Sequence, residues 1–213
     1  MPDAPAFTNE ALRILRDPTM FSWTAIPLFG IVVYVYAVEI EKRNWSTTLA
    51  GLAFWSVDWI NEVVNTLVLR FSGKAAIWTT TGHTSFQILP GLTLEIAFLF
   101  AIAGIIFTKQ FPKDPKLRVL GIPNRWLLVV GYSCFSVFVE LLLHRTGSFH
   151  WYWPWWNEHN PWLIVVFGYG TFYAAAAWVH DLPTLGAKLR VTGALAGTAV
   201  AAIVVFGPVL GWL

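Results

Sequence analysis

The chain has 213 residues, of which 56% are hydrophobic, 16% aromatic and 12% charged, with a mean hydropathy of +0.58. Soluble domains carry about 25% charged residues, so this composition excludes an ordinary soluble domain and points to a single membrane domain. A net charge of +2 without a basic cluster argues against nucleic acid as a partner. The single cysteine, Cys134, excludes an internal disulfide, a CxxC pair and a cysteine-rich metal site. Its apolar neighbours make it a small buried packing residue.

In residues 1–19, Phe7, Ala11, Leu12, Ile14 and Leu15 alternate with Glu10, Arg13 and Arg16. That pattern predicts a short amphipathic helix lying on the membrane surface. No charged, apolar and small-residue cleavage sequence precedes it, so a signal peptide is not expected. Apolar spans follow near 21–40, 46–70, 86–108, 125–145, 161–180 and 190–212, each close to the roughly 20 residues a crossing helix needs. The expected fold class is all-α: a polytopic integral membrane bundle of about six transmembrane helices.

Six crossings bring both termini to one side. Arg13, Arg16, Arg70, Lys74 and Arg145 lie there. Lys42, Arg43, Lys109, Lys113, Lys116, Arg118, Arg125, Lys188 and Arg190 lie on the other. The positive-inside bias makes the second side cytoplasmic and both termini external, as in a multi-pass protein of a bacterial inner membrane. The inner connector from Lys109 to Lys116 reads as a plain proline-broken loop. The outer loops are unusual. One runs from Gly73 to His83, and the other, Ser148 to Pro161, is dense in Trp and Tyr. The aromatics fit an interfacial belt or a lid and hydrophobic entry for substrate. His83 and His150 read as exposed loop residues, and His180-Asp181 as the end of the fifth span, since Pro183 follows. The Ala- and Gly-rich stretch 194–205 reads as a packing helix.

The chemistry-bearing pattern is Asp58, Asn61, Glu62 and Asn65, at i, i+3, i+4 and i+7 and so on one helical face. Such a stripe is either interhelical hydrogen bonding or a functional site. The third span carries Glu95 and the fourth carries Glu140 and His144, four residues apart. Counted from the outer ends of their spans, Glu62, Glu95 and Glu140 lie at depths agreeing within roughly 6 Å. No Lys or Arg lies inside a span. Carboxyl groups so placed either keep their protons or meet something cationic. Three functions follow. A neutral acid can protonate an alkene or epoxide, a second carboxylate and aromatic faces then stabilising a carbocation. Here Glu62 or Glu95 would be the acid, with Asp58 and Glu140 beside them. Asn61, Asn65, Trp55, Trp59, Trp151, Tyr169, Tyr173 and Trp178 would line the cavity of an isoprenoid or sterol-like lipid. No cofactor is needed. Alternatively Glu140, His144, Glu62 and Glu95 hold iron or copper in an oxidoreductase, with His150, Glu158 and His159 near. The third reading is a transporter or a lipid- or pigment-binding subunit.

These motifs resemble the emopamil-binding-type sterol isomerases, in which acidic side chains shift a ring double bond through a carbocation. Asp58 and Glu62 stand where that family's second helix has His and Glu. Glu95 matches its third-helix Glu, and His144-Arg145-Thr146-Gly147 its His-Arg-x-Gly turn. The chain departs from the pattern in having Asp58 for the His, no Asn in the fifth span and an additional C-terminal helix. The run from Glu140 through Thr146-Gly147-Ser148-Phe149-His150-Trp151-Tyr152 is also similar to carotenoid-modifying membrane hydratases and cyclases. Both resemblances imply acid chemistry on isoprenoids.

Overall fold

A computed structural model describes residues 3–82 and 85–213; His83, expected in an exposed loop, lies outside the described residues. Helix α1 (Ala6–Arg13) is amphipathic, with Glu10 and Arg13 paired at 2.7 Å and Thr8 and Ala11 buried. Six longer helices follow: α2 (Ala25–Glu41), α3 (Trp45–Ser72), α4 (Leu94–Lys109), α5 (Asn124–Arg145), α6 (Pro161–Asp181) and α7 (Leu185–Val209). Of these, α5, α6 and α7 are long and apolar enough to cross a bilayer. Local sequence sets the boundaries. Asn44 caps α3 by accepting from the Thr47 amide, and Gly73, at φ 64°, closes it. Thr93 caps α4 and Thr184 caps α7 in the same way. Helix α6 starts on Pro161 and widens to a π turn over Ile164–Tyr169, a local expansion that often marks a functional site.

The third span was expected to begin near residue 86. Instead, β2 (Gln87–Leu89) and β3 (Leu92–Thr93) form a hairpin around Pro90-Gly91, and α4 starts only at Leu94. Proline and glycine favour the turn, and the Thr93 cap fixes the helix start. The all-α expectation therefore needs correction in the loops. Besides this hairpin, β4 (Arg118–Val119) pairs with β5 (Ile122–Pro123) in the connector at one end of the bundle, the end expected to be inner. At the opposite end, the one expected to be outer, β1 (Trp78–Thr80) pairs antiparallel with β6 (Phe149–Trp151). The two tryptophan-bearing outer loops are thus one structure.

Helix α3 is the hub, packing on α4, α6 and α7, while α2 covers α4 and α5 leans on α6. The α3–α4 crossing is close because Gly51 and Gly104 face each other. A Cβ on Gly104 would lie 2.8 Å from the Phe54 Cβ and 3.0 Å from the Gly51 backbone. Below the crossing, Phe54, Phe107 and Tyr173 interlock edge to face. The inner end is stitched by ion pairs: Lys109 to Glu39 at 2.7 Å, and Arg125 to Asp181 at 2.7 and 3.0 Å. The Lys188 ammonium donates to the His180 and Val179 carbonyls.

Helix α1 and the C-terminal residues lie at the face carrying β1 and β6. Helix α1 docks on β1, where Phe7 stacks on His150 at 4.7 Å. At the other end, Trp212 meets Phe71 and Leu213 packs with Leu89, Leu92 and Ala97. Cys134 is exposed on α5, contrary to the buried role expected of it. It sits on an outward face with Phe135 and Phe138, 62% and 56% exposed, as suits contact with lipid. Gly104→Val should force α3 and α4 apart and cost about 1–3 kcal/mol, readable as a lower Tm in detergent. An unchanged Tm would mean that the crossing tolerates a wider spacing.

Candidate functional site

Asp58, Glu62 and Glu140 line one cavity of about 180 Å³ between α3, α4, α5 and α6, capped by Trp78 and Trp156. They are 2%, 4% and 4% exposed. The remaining wall is apolar or aromatic, including Ile96, Leu99, Phe100, Val139, Tyr169 and Phe172, and it contains no Lys or Arg. Leu99, Val139 and Leu143 lie on its rim and are also exposed on the outer surface of the bundle. Helices α4 and α5 meet near the inner end through Phe107 and Tyr132, and the cavity occupies the space between them higher up. Two hollows, of about 550 and 530 Å³, lie at the inner end around Arg125. They are larger, but their acidic groups, Asp181 and Glu39, are already ion-paired.

The β1–β6 pair positions the two glutamates. Trp78 and Trp151 are direct register partners. The Trp78 Nε1–H donates to Glu62 Oε1 at 2.7 Å and the Trp151 Nε1–H to Glu140 Oε1 at 3.0 Å. Asn65, fully buried, ties this ladder to α3. Its Oδ1 accepts from the Ile77 and Trp78 amides at 2.7 and 3.0 Å, and its Nδ2 donates to the Trp78 carbonyl at 2.9 Å. Gly91 makes the room: a Cβ there would fall 2.5 Å from both Asn65 Nδ2 and Trp78 Nε1. Gln87 Nε2 donates to the Thr80 and Pro90 carbonyls and locks the hairpin to β1.

The stripe therefore divides its labour. Asp58 and Glu62 face the cavity, Asn65 is scaffold, and Asn61 donates to Thr171 Oγ1 at 3.2 Å as interhelical bonding. Glu95 does not join them. It sits in the first turn of α4, accepting from Thr24 Oγ1 at 3.1 Å, because the hairpin consumes the residues that were expected to bury it deeper. A carboxylate there also suits the helix dipole. Of the expected aromatic lining, Tyr169 is in the wall. Trp151 acts through Glu140. Trp55 and Trp59 face α7 instead, Tyr173 is bonded to Ser136 in the core, and Trp178 is exposed near the inner end. Sequence reasoning missed Trp78, Trp156, Gly91 and Gly168; the aromatic density of the outer loops was the available signal for the two tryptophans.

The metal alternative meets an obstacle in the same geometry. Among the described residues no three His, Cys, Asp or Glu side chains converge as a metal site. His144 Nδ1 donates to the Phe149 carbonyl at 2.8 Å, and the Trp151 ring, 4.5 Å from the imidazole, spends its N–H on Glu140. Glu158 and His159 pair loosely with each other at 4.0 Å. His150 is only partly exposed, correcting the open-loop expectation. Its Nε2 meets Thr81 Oγ1 at 2.9 Å. Burial lowers its pKa from the ordinary 6.5, the neighbouring His144 adds to that, and a hydrogen bond involving Gly147 opposes it.

Fold and site together define a helical membrane protein with a carboxylate-lined apolar cavity. Residues 5–208 match an uncharacterized membrane protein family, and the chain belongs to that family. It is 39% identical to an uncharacterized protein of Archaeoglobus fulgidus over 205 residues, covering 96% of this chain and 97% of the relative. A second, shorter protein of the same organism is 34% identical over 53 residues, 25% of this chain and 95% of its own length. No solved structure matches. These relatives are archaeal, so they lend nothing to the expectation of a bacterial inner membrane.

Two tests address the scaffold. Asn65→Leu strands the Ile77 and Trp78 amides and should cost about 2–4 kcal/mol. A Tm equal to that of the wild type would show that β1 is held by other means. His150 binds protons more weakly folded than unfolded, so its contribution is intact above the ordinary value of about 6.5 and is lost as pH falls from there through the lower folded value. Thermal melts should show that loss on acidification, and His150→Gln should remove this component; an identical pH profile in the variant would assign it elsewhere.

Proposed function

We infer that this is a multi-pass membrane enzyme acting on an isoprenoid-type lipid by acid-initiated carbocation chemistry, with six crossing helices and both termini outside. The observation that carries the reading is the convergence of Asp58, Glu62 and Glu140 on one buried, aromatic cavity without a basic residue. Carboxyl groups lining one low-dielectric cavity disfavour each other's ionisation, and one that keeps its proton is a general acid. Glu62 and Glu140 each have one oxygen fixed by an indole N–H. That bond orients the carboxyl group on a rigid helix.

In the proposed cycle, one of these two glutamic acids transfers its proton to an alkene carbon. The cation that forms lies against the faces of Tyr169, Phe100 and Phe172 and near the remaining carboxylate. The second glutamate then removes a proton from a neighbouring carbon. One proton enters and one leaves, so the net change is isomerisation or ring closure without an oxidant. The cavity is only a little larger than the ~150 Å³ that houses a benzene ring, so it encloses the reacting end of a lipid. A whole polycycle does not fit. The rim between α4 and α5, lined by Leu99, Val139 and Leu143, is the side from which a chain would enter out of the bilayer. Glu95, outside the cavity, takes no part.

Purified protein in nanodiscs, given a panel of polyprenyl alkenes in deuterated water, should place solvent deuterium in the product. Glu62→Gln and Glu140→Gln should each lower the rate by about 10²–10⁴-fold while leaving the Tm near the wild-type value. Full turnover in both variants would sink the proposal. An isoprenoid that binds and is recovered unchanged and undeuterated would make the protein a lipid-binding one.

A further inference from the structure

Among the described residues, the side-chain polar atoms that are buried without a hydrogen-bond partner include Asp58 Oδ2 and Trp156 Nε1. Both residues line the carboxylate cavity. Both are more than nine-tenths buried, at 2% and 6% exposure. The rest of the site is saturated by comparison: Trp78, Trp151 and Asn65 all spend their N–H groups on named acceptors. An unmet buried polar group costs about 1–3 kcal/mol, so two of them on residues of one small cavity favour an occupant that brings partners as the wall adjusts to admit it. Trp156 is held in place from both sides. It stacks on Trp78 at 5.9 Å, and Gly168 of the π turn leaves the space its ring fills, since a Cβ there would come within 3.2 Å.

The two atoms restrict what that occupant can carry. The indole N–H can only donate, so the ligand needs an acceptor. The carboxyl oxygen of Asp58 accepts when ionised and can donate when protonated. An ammonium has donors only and leaves Trp156 unmet. A carboxylate or phosphate has acceptors only and would lie among three carboxyl groups, where like charge repels it. A hydrocarbon satisfies neither atom. A carbonyl serves only if Asp58 is protonated. A hydroxyl has one donor and two acceptor sites, and it satisfies Trp156 and either form of Asp58.

We propose that the cavity binds the hydroxyl-bearing end of an isoprenoid alcohol, with Trp156 donating to the alcohol oxygen and Asp58 bonded to the same hydroxyl. The proposal rests on the lipid-modifying reading for the isoprenoid part of the ligand, and it adds the polar group that the site recognises. It also gives Asp58 and Trp156 a positioning role separate from the two glutamates. The hydroxyl anchors the chain end, and the isoprenoid carbons beside it lie against Tyr169 and Phe172, under Glu62 and Glu140.

The test measures binding of geraniol, its aldehyde, geranylamine and the parent hydrocarbon to the nanodisc-embedded protein, by thermal shift and native mass spectrometry. Geraniol should bind about five- to tenfold more tightly than the hydrocarbon, with the aldehyde and amine between. Trp156→Phe keeps the ring and loses the N–H; it should erase most of the alcohol's advantage while leaving hydrocarbon binding unchanged. Asp58→Asn keeps the shape and should weaken the alcohol preference independently, which covers the case in which Trp156→Phe fails to fold. Equal binding of alcohol and hydrocarbon, tighter binding of the amine or aldehyde, or an alcohol preference untouched in both variants would each overturn the proposal. Alcohol preference without deuterium incorporation into any product would leave this assignment standing and defeat the catalytic reading. Deuterium incorporation without alcohol preference would do the reverse.

Discussion

Two indole N–H groups, carried opposite one another on a short antiparallel pair and aimed at two glutamates, are the constraint on which the site depends. Trp78 reaches Glu62 on α3, and Trp151 reaches Glu140 on α5. These helices share no extensive contact of their own; α3 packs on α4, α6 and α7, and α5 on α6. The outer β1–β6 ladder therefore joins α6, on which both helices pack, in fixing the distance between the acidic groups. An indole suits this task in a membrane, because its large apolar face covers the cavity while its single donor satisfies a buried carboxyl oxygen. Asn65 and Gly91 serve the ladder: one clamps its backbone to α3, and the other clears the space the clamp occupies.

The helical part of this architecture is written plainly in the sequence. Long apolar runs declare helices wherever they occur, and those near 46–70 and 125–145 correspond closely to α3 and α5. The i, i+4 spacing of Asp58 and Glu62 correctly placed both on one face. The apolar count failed at 86–93, because Phe, Ile and Leu do not tell strand from helix over so short a run. Pro90-Gly91 carried the better signal there. That error moved Glu95 from the helix start to a false depth and put it in the wrong company. The positions of Trp78 and Trp156 were beyond reach for a different reason. They depend on a strand pairing between residues about seventy apart, and nothing local in either loop specifies its partner.

The helices also divide by what they face. Helix α3 buries residues along most of its length, whereas α5 presents Phe135, Phe138 and Leu142 outward and α2 presents Phe29, Val33 and Tyr34. For a soluble protein such surfaces would drive aggregation; in a bilayer they are the solvated side. The same logic explains the polar distribution. Two ion pairs, Arg125 to Asp181 and Lys109 to Glu39, gather at the inner end, and the carboxyl groups of Asp58, Glu62 and Glu140 withdraw into the cavity.

Trp78 belongs at once to the ladder, to the cavity wall and to Glu62. Any outward swing of β1 wide enough to admit a chain from above would carry the indole away and leave the Glu62 oxygen without its donor. Entry by that route would disarm the group it leads to. Between α4 and α5 no such penalty exists, since Leu99, Val139 and Leu143 hold no polar partner. On the proposed reading the tryptophan roof would stay shut while the flank gives way, so a guest would pass sideways out of the membrane and leave the two glutamates and their indole partners undisturbed.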